Sequence, residues 1–390
     1  MQSTDTGMKL DQILSLLSLT FAAFIFNTSE FIPIGLLTDI RNDFGLTEQS
    51  VGMLISIYAW AVMLLSLPLM LMVSKLEMKR LMLGLLAFFT IFQVTSFLST
   101  SFTMLVLSRV GVACTHAIFW SIVSPMAVRI VPDRFRSVAL SMVVTGSSVA
   151  MILGMPLGRI IGLYVGWRMT FLSIGAFSAL TFLYSFFKLP LLPSRGGFSP
   201  RKLPELLRSK GVVGLYIFTL LVSTAYYVSY SYIEPFLSQV AQMPNSMITT
   251  TLIVFGAAGF VGSLFFSMCY NRNRCIFISA VVLLMALCLV LLTPLSSNVY
   301  LLMLLCAVWG MAATAYNVAM QSNIILITSA ESTSVAMSIF SGIFNLGIGC
   351  GAFAGGAICE HASIRYIGYA GAILAFIGWG YWQLRLGKRV

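Results

Sequence analysis

Charged side chains are scarce in this sequence, and the few polar groups that stand out within its apolar runs are where chemistry would take place. Glu30 lies in the stretch FNTSEFIP, with Asn27 one turn before it and Pro33 three residues after it. A carboxyl in low-dielectric surroundings readily exchanges its charge for a proton, which makes Glu30 a candidate proton carrier. Pro33 leaves a backbone carbonyl without its helical donor and can bend the chain there. Arg109 and His116 are seven residues apart, two helical turns or about 10 Å along one face, and Trp120 continues that stripe. Imidazole titrates nearest to neutrality. A guanidinium, an imidazole and an indole on one face could hydrogen-bond hydroxyls and stack on a sugar ring.

Further along, STAYYVSYSYIEPFL places Tyr227, Tyr230 and Glu234 at helical spacing, with Tyr226 beside them. Tyr316, Asn317 and Gln321 fall in one apolar run, and Ser338, Ser341 and Asn345 in the next. Amides and hydroxyls both donate and accept, which suits neutral polyols, but in an apolar setting they also join helix to helix. Gly154, Pro156, Gly158 and Gly162 make a smooth helix face with a bend inside it. Structural readings stand beside each of these: an ion pair for Glu30, packing for His116, an interfacial position for Arg109 and an aromatic belt for the tyrosines. No nucleophile–base set, metal spacing or phosphate-binding loop occurs. With two histidines and seven cysteines lacking any CxxC spacing, no catalytic residue, metal site or cofactor is expected. A membrane enzyme or a sensor is the least supported class.

The elements that must position these groups are helices in lipid. Of the 390 residues, 59% are apolar and only 9% are charged, far from the ~25% charge of soluble domains. Twelve apolar runs, near 13–38, 50–73, 80–99, 103–128, 138–165, 169–193, 211–238, 247–270, 275–294, 298–328, 335–358 and 364–384, can each span a ~30 Å hydrocarbon layer as a helix. Strand-like alternation is absent, which argues against a barrel. The first run is too long for a cleavable signal and acts as its own insertion signal. Placing 18 of the 23 Lys and Arg on one side puts both termini in the cytoplasm by the positive-inside rule. The net charge of +11 is thereby explained by topology, with no nucleic-acid partner. Residues 194–210, SRGGFSPRKLPELLRSK, read as a cytoplasmic linker between residues 1–193 and 211–390. SVALS at 137–141 repeats as SVAMS at 334–338, and Gly154 and Gly158 map to Gly351 and Gly355 at the same offset; Gly111 and Thr115 map to Gly310 and Thr314. The expected fold is an all-α membrane protein with two six-helix bundles related by pseudo-two-fold symmetry, a parallel repeat of the kind that places a substrate near the midplane.

AFIFNTSEFIPIGLL at 23–37, ISIYAWAVMLLSLPLMLM at 55–72, LSRVGVACTHAIFWSI at 107–122, GMPLGRIIGLYVGWRMTF at 154–171, YSYIEPFL at 230–237 and FSGIFNLGIGCGA at 340–352 resemble the major facilitator superfamily. Within it they resemble the bacterial proton-driven sugar efflux transporters, which export arabinose and thiogalactosides. The resemblance implies that helices 1, 4, 7 and 10 line a cavity holding Glu30, His116 and Asn345. It implies that Arg109 is a helix-4 arginine linked to proton transfer. Gly154, Pro156, Gly158 and Gly162 then look like an antiporter signature, which implies efflux. One departure stands out. LMLMVSKLEMKR at 69–80 keeps the superfamily's basic pair, Lys79 and Arg80, but lacks the glycine and aspartate before it, leaving Glu77 as the acidic substitute.

The expectation is therefore proton antiport with alternating access. Glu30, His116 and Arg109 would couple the proton. Asn27, Glu30, His116, Trp120, Tyr227, Tyr230, Glu234, Asn317 and Asn345 would contact a sugar or a similar polar solute. A multidrug/proton antiporter on the same fold is the alternative. The setting is a monomer in the lipid bilayer of a bacterial inner membrane.

Overall fold

A computed structural model describes residues 8–73, 75–193, 208–328 and 333–386. Residues 194–207 of the expected linker lie outside the described residues, as do Arg195, Arg201, Lys202, Lys388 and Arg389. The fold is all-helical. The first half contains α1 (Leu10–Gly35), the short α2 (Leu37–Phe44), α3 (Glu48–Val73), α4 (Met78–Phe97), α5 (Phe102–Ile130), α6 (Arg136–Val149), α7 (Met155–Val165) and α8 (Trp167–Lys188). The second half contains α9 (Lys210–Tyr230), the short α10 (Ile233–Gln239), α11 (Asn245–Cys269), α12 (Arg274–Leu291), α13 (Val299–Ile327), α14 (Thr333–His361) and α15 (Ile367–Tyr381). Among the described residues, eleven helical stretches are long and apolar enough to cross a membrane. The twelfth apolar run forms α15 and continues as a π-helical segment, Trp382–Leu386.

Helix starts follow local chemistry. Ser101 accepts the Met104 N–H, Asn273 that of Ile276, Asn298 that of Leu301 and Ser209 that of Val212, so one otherwise unsatisfied donor is met at each N-terminus. Gly45 ends α2 at φ 63°, a left-handed conformation that glycine adopts without strain. The 138–165 run is one span in two pieces. A π-helical turn, Ala150–Gly154, joins α6 to α7 just before Pro156, where the proline cannot donate its bond.

The described parts of Met1–Ile32 and Leu64–Phe198 form one compact unit, and those of Pro33–Met63 and Ser199–Val390 form another. In the first, α4 packs on α8 and on α5. In the second, α12 packs on α15 and on α13. These are equivalent pairings, the third span with the sixth and fourth, and the ninth with the twelfth and tenth. Closest approach depends on missing side chains. A Cβ on Gly262 would collide with the Met311 carbonyl, and one on Gly310 with the Phe255 carbonyl, so α11 and α13 touch backbone to backbone.

Glu77 caps α4, accepting the Lys79 and Arg80 N–H groups at 2.9 Å each, and it also accepts the Leu192 N–H at 2.6 Å. Burial alone would raise its pKa. The three N–H donors and the Arg80 charge outweigh that and hold the carboxyl below its ordinary range. Met78 donates to the Leu192 carbonyl at 3.0 Å, Arg129 to that of Pro193 at 2.8 Å, and Ser15 to that of Lys188 at 2.6 Å. The acidic group of the 69–80 loop therefore secures the chain leaving α8.

Candidate functional site

Glu30, on α1, and His116, on α5, meet in the first unit. The Glu30 Oε2 to His116 Nε2 distance is 3.6 Å, and their side chains are 12% and 4% exposed. They are in ion-pair contact just beyond hydrogen-bond distance, in a setting with little water to compete. Phe26, fully buried one turn before Glu30, stacks on Phe119 with ring centroids 4.1 Å apart and planes 2° apart, and lies 6.2 Å from the His116 ring. Trp120 lies 6.1 Å from His116. The stripe Arg109–His116–Trp120 is thus realised, with a packed aromatic wall behind it.

Arg109 is 1% exposed and lies at the same helix pair. Its two terminal nitrogens donate to the Ser29 hydroxyl at 2.9 Å and the Ser29 carbonyl at 2.7 Å. The guanidinium also sits 5.7 Å from the Phe171 ring centre. Gln93, from α4, donates to the same Ser29 hydroxyl at 2.5 Å and is fully buried. Three spans therefore converge on Ser29, the residue before Glu30. A buried guanidinium tied to a backbone carbonyl and a hydroxyl is fixed in place, so the interfacial reading of Arg109 does not hold. Asn27 donates to the Ser147 carbonyl at 3.3 Å, one turn before the π-helical turn. Gly154 and Gly158 let α7 approach α1: a Cβ would stand 2.7 Å from Thr28 Oγ1 and 2.6 Å from Ile32 Cγ1, respectively. Pro156 and Gly162 are buried in α7.

The second unit holds an aromatic cluster on α9. Tyr226 stacks on Tyr230 at 4.8 Å and meets Tyr227 edge-on at 4.7 Å; Tyr230 stacks on Phe255 at 5.0 Å. Trp309, fully buried on α13, packs edge-on against Tyr226 and Phe255 at 5.5 and 5.4 Å. Its indole N–H has no hydrogen-bond partner among the described residues. Asn345, 7% exposed on α14, donates to the Ser341 carbonyl at 3.0 Å, and its Oδ1 has no partner among the described residues. Asn317 is half-buried and accepts from Gln321 on its own helix.

Glu234 departs from the expected helical face. The helix stops at Tyr230 and restarts at Ile233, so Glu234 is not a further turn of the Tyr227–Tyr230 stripe. Its carboxyl is 1% exposed and accepts the Thr38 hydroxyl at 2.6 Å and the Thr38 N–H at 3.3 Å. Ser29, Gln93 and Trp309 escape sequence reasoning. Gln93 carried a signal, being a lone amide inside an apolar run. Ser29 and Trp309 looked like ordinary helix residues.

An all-helical protein with spans of this length and buried ionisable groups at helix–helix contacts has the architecture of a membrane transporter. The chain belongs to the Major Facilitator Superfamily, whose family model matches residues 19–272 and 215–389. Members of the family are transporters that bind small molecules within a membrane, and this chain is a multi-pass membrane protein. Its fold is similar to that of a bacterial homologue of the human lysosomal transporter Spinster, solved inward-facing and unoccupied. That match has a TM-score of 0.79 and 17% identity, and covers 97% of each chain. It is also similar to the nucleoside transporter NupG, with a TM-score of 0.75 and 15% identity over 95% of this chain and 99% of that one.

Proposed function

We propose that this protein exports sugars or sugar-like polar solutes, such as arabinose or thiogalactosides, by proton antiport with alternating access. The observation that carries the reading is the Glu30–His116 pair, 3.6 Å apart and withdrawn from solvent, next to an Arg109 held on Ser29. A titratable pair of this kind inside a span is costly unless it is used, and proton relays are a common use. Proton coupling falls to Glu30, His116 and Arg109. The solute is recognised by Asn27, Glu30, His116, Trp120, Tyr227, Tyr230, Glu234, Asn317 and Asn345. Trp309 N–H and Asn345 Oδ1, without partners among the described residues, offer one donor and one acceptor, which suits hydroxyl groups.

In this reading, residues 1–193 and 211–390 act as two six-helix halves joined by a cytoplasmic linker. Both termini face the cytoplasm of a bacterial inner membrane, and the working unit is a monomer. Gly154, Pro156, Gly158 and Gly162 form the antiporter face. A cytoplasmic solute binds the deprotonated inward-facing state. Protonation from the periplasm then releases it and resets the halves.

The test is export of labelled sugars from proteoliposomes with and without an imposed pH gradient. The wild-type protein should export faster with the gradient, and Glu30→Gln, which keeps the shape but cannot ionise, should lose that acceleration. Unchanged gradient-driven export in Glu30→Gln would remove Glu30 from the mechanism. A panel with hydrophobic cations addresses multidrug export, for which Glu30 and Glu234 are the possible cation partners; preference for cations over sugars would select it.

A further inference from the structure

Residues 33–63 comprise the end of α1, all of α2, the turn after it and the first part of α3. They pack in the second unit, although α1 and α3 both run on into the first. The contacts that hold them are polar and specific. Buried Glu234 accepts the Thr38 hydroxyl and N–H in the first turn of α2. The residue before that helix, Leu36, offers no side-chain cap, so Glu234 takes the place of one. Glu48, at the start of α3, accepts Gln239 Nε2 at 2.6 Å and is paired with Arg41. Thr47 donates to Glu360, at the end of α14, at 2.8 Å. Tyr232 is fully buried and donates to the Ala352 carbonyl at 2.8 Å. Its ring edge fills the space above Gly52 and Gly356, where a Cβ would strike the phenol.

We propose that this set of contacts is a latch that closes the end of the protein carrying residues 36–47, with Glu234 on Thr38 as its bolt. The proposed orientation makes this the periplasmic end. Two arrangements satisfy Glu234: bonded to Thr38 in the dry, closed state, or hydrated once residues 33–63 swing away from α9, α10 and α14. Anything between removes the two Thr38 donors from the buried carboxyl without replacing them by water, which is unfavourable. The element is therefore two-state rather than continuously deformable, and each half-opened intermediate is disfavoured. Because α1 also carries Glu30, movement of residues 33–63 is mechanically continuous with the helix that holds the titratable pair.

The test is access of an impermeant maleimide to Ser56→Cys, a fully buried position on α3, added from the periplasmic side to whole cells. All native cysteines except buried Cys306 are replaced. Thr38→Val removes the hydroxyl without changing shape and should speed labelling about tenfold, the population shift expected from losing one hydrogen bond to a carboxyl. Cys306 should stay unreactive, which establishes that the variant is folded. An unchanged rate at Ser56→Cys with Cys306 protected overturns the latch. If Cys306 does react in Thr38→Val, a second arm decides. A short reducible thiol cross-linker between Thr47→Cys and Glu360→Cys should cut periplasmic labelling of Ser56→Cys about tenfold and release it on reduction. Labelling that ignores the cross-link overturns the proposal. Neither readout depends on which solute is carried or on whether protons drive it.

Discussion

At the scale of single residues, Ser29 organises the first-unit site although it carries no charge. It holds a buried guanidinium by two of its atoms and a buried amide by one. The neighbouring Glu30 is thus presented to His116 from a helix that cannot rotate freely. Hydrogen bonds to charged groups contribute about 1.5–3 kcal/mol each. Ser29→Ala removes one acceptor from Arg109 and the hydroxyl to which Gln93 donates, and should lower the melting temperature of the detergent-purified protein clearly. Ser29→Thr keeps the hydroxyl and should restore most of that loss. Equal melting of the alanine and threonine variants would mean that the carbonyl alone anchors Arg109.

At the scale of helices, the contacts that matter are those where side chains are absent. The α11–α13 approach depends on Gly262 and Gly310, each facing a carbonyl of the other helix, the small-residue packing that substitutes for hydrophobic drive in lipid. Gly262→Leu must push the helices apart, and the yield of folded monodisperse protein after extraction should fall severely. A Cβ added at Gly84, on α4, would meet nothing within 4 Å. Gly84→Ala should be neutral or stabilising by up to about 1 kcal/mol through helix propensity, read in the same thermal assay. The π-helical turn before Pro156 belongs to this scale as well. A π-helical turn next to a proline is a point at which a span can bend.

At the scale of the whole molecule, the basic residues are the basis of the proposed orientation. Lys75, Lys79, Arg80, Arg129, Arg134 and Arg136 cluster at connections that the positive-inside rule assigns to the cytoplasm. Lys79→Cys should react with impermeant maleimide in inverted vesicles and stay silent in intact cells, while Asn42→Cys should do the reverse. The opposite pattern would invert the direction of transport proposed here. The two compact units also differ from the division into residues 1–193 and 211–390 expected from sequence, because residues 33–63 pack with the second unit.

The sequence by itself determined the number and approximate limits of the spans, because hydropathy over some twenty residues is a local property that lipid enforces. It also singled out Glu30, Arg109 and His116, since ionisable groups are conspicuous in an apolar run. It did not reveal Ser29, Gln93 or Trp309, whose residue types are unremarkable in a helix and whose importance comes from what separate spans bring beside them. Nor did it show that the chain breaks between Tyr230 and Ile233 and turns Glu234 onto Thr38. Helical spacing reports the face of one continuous helix, whereas partners 196 residues apart are chosen only when the helices pack.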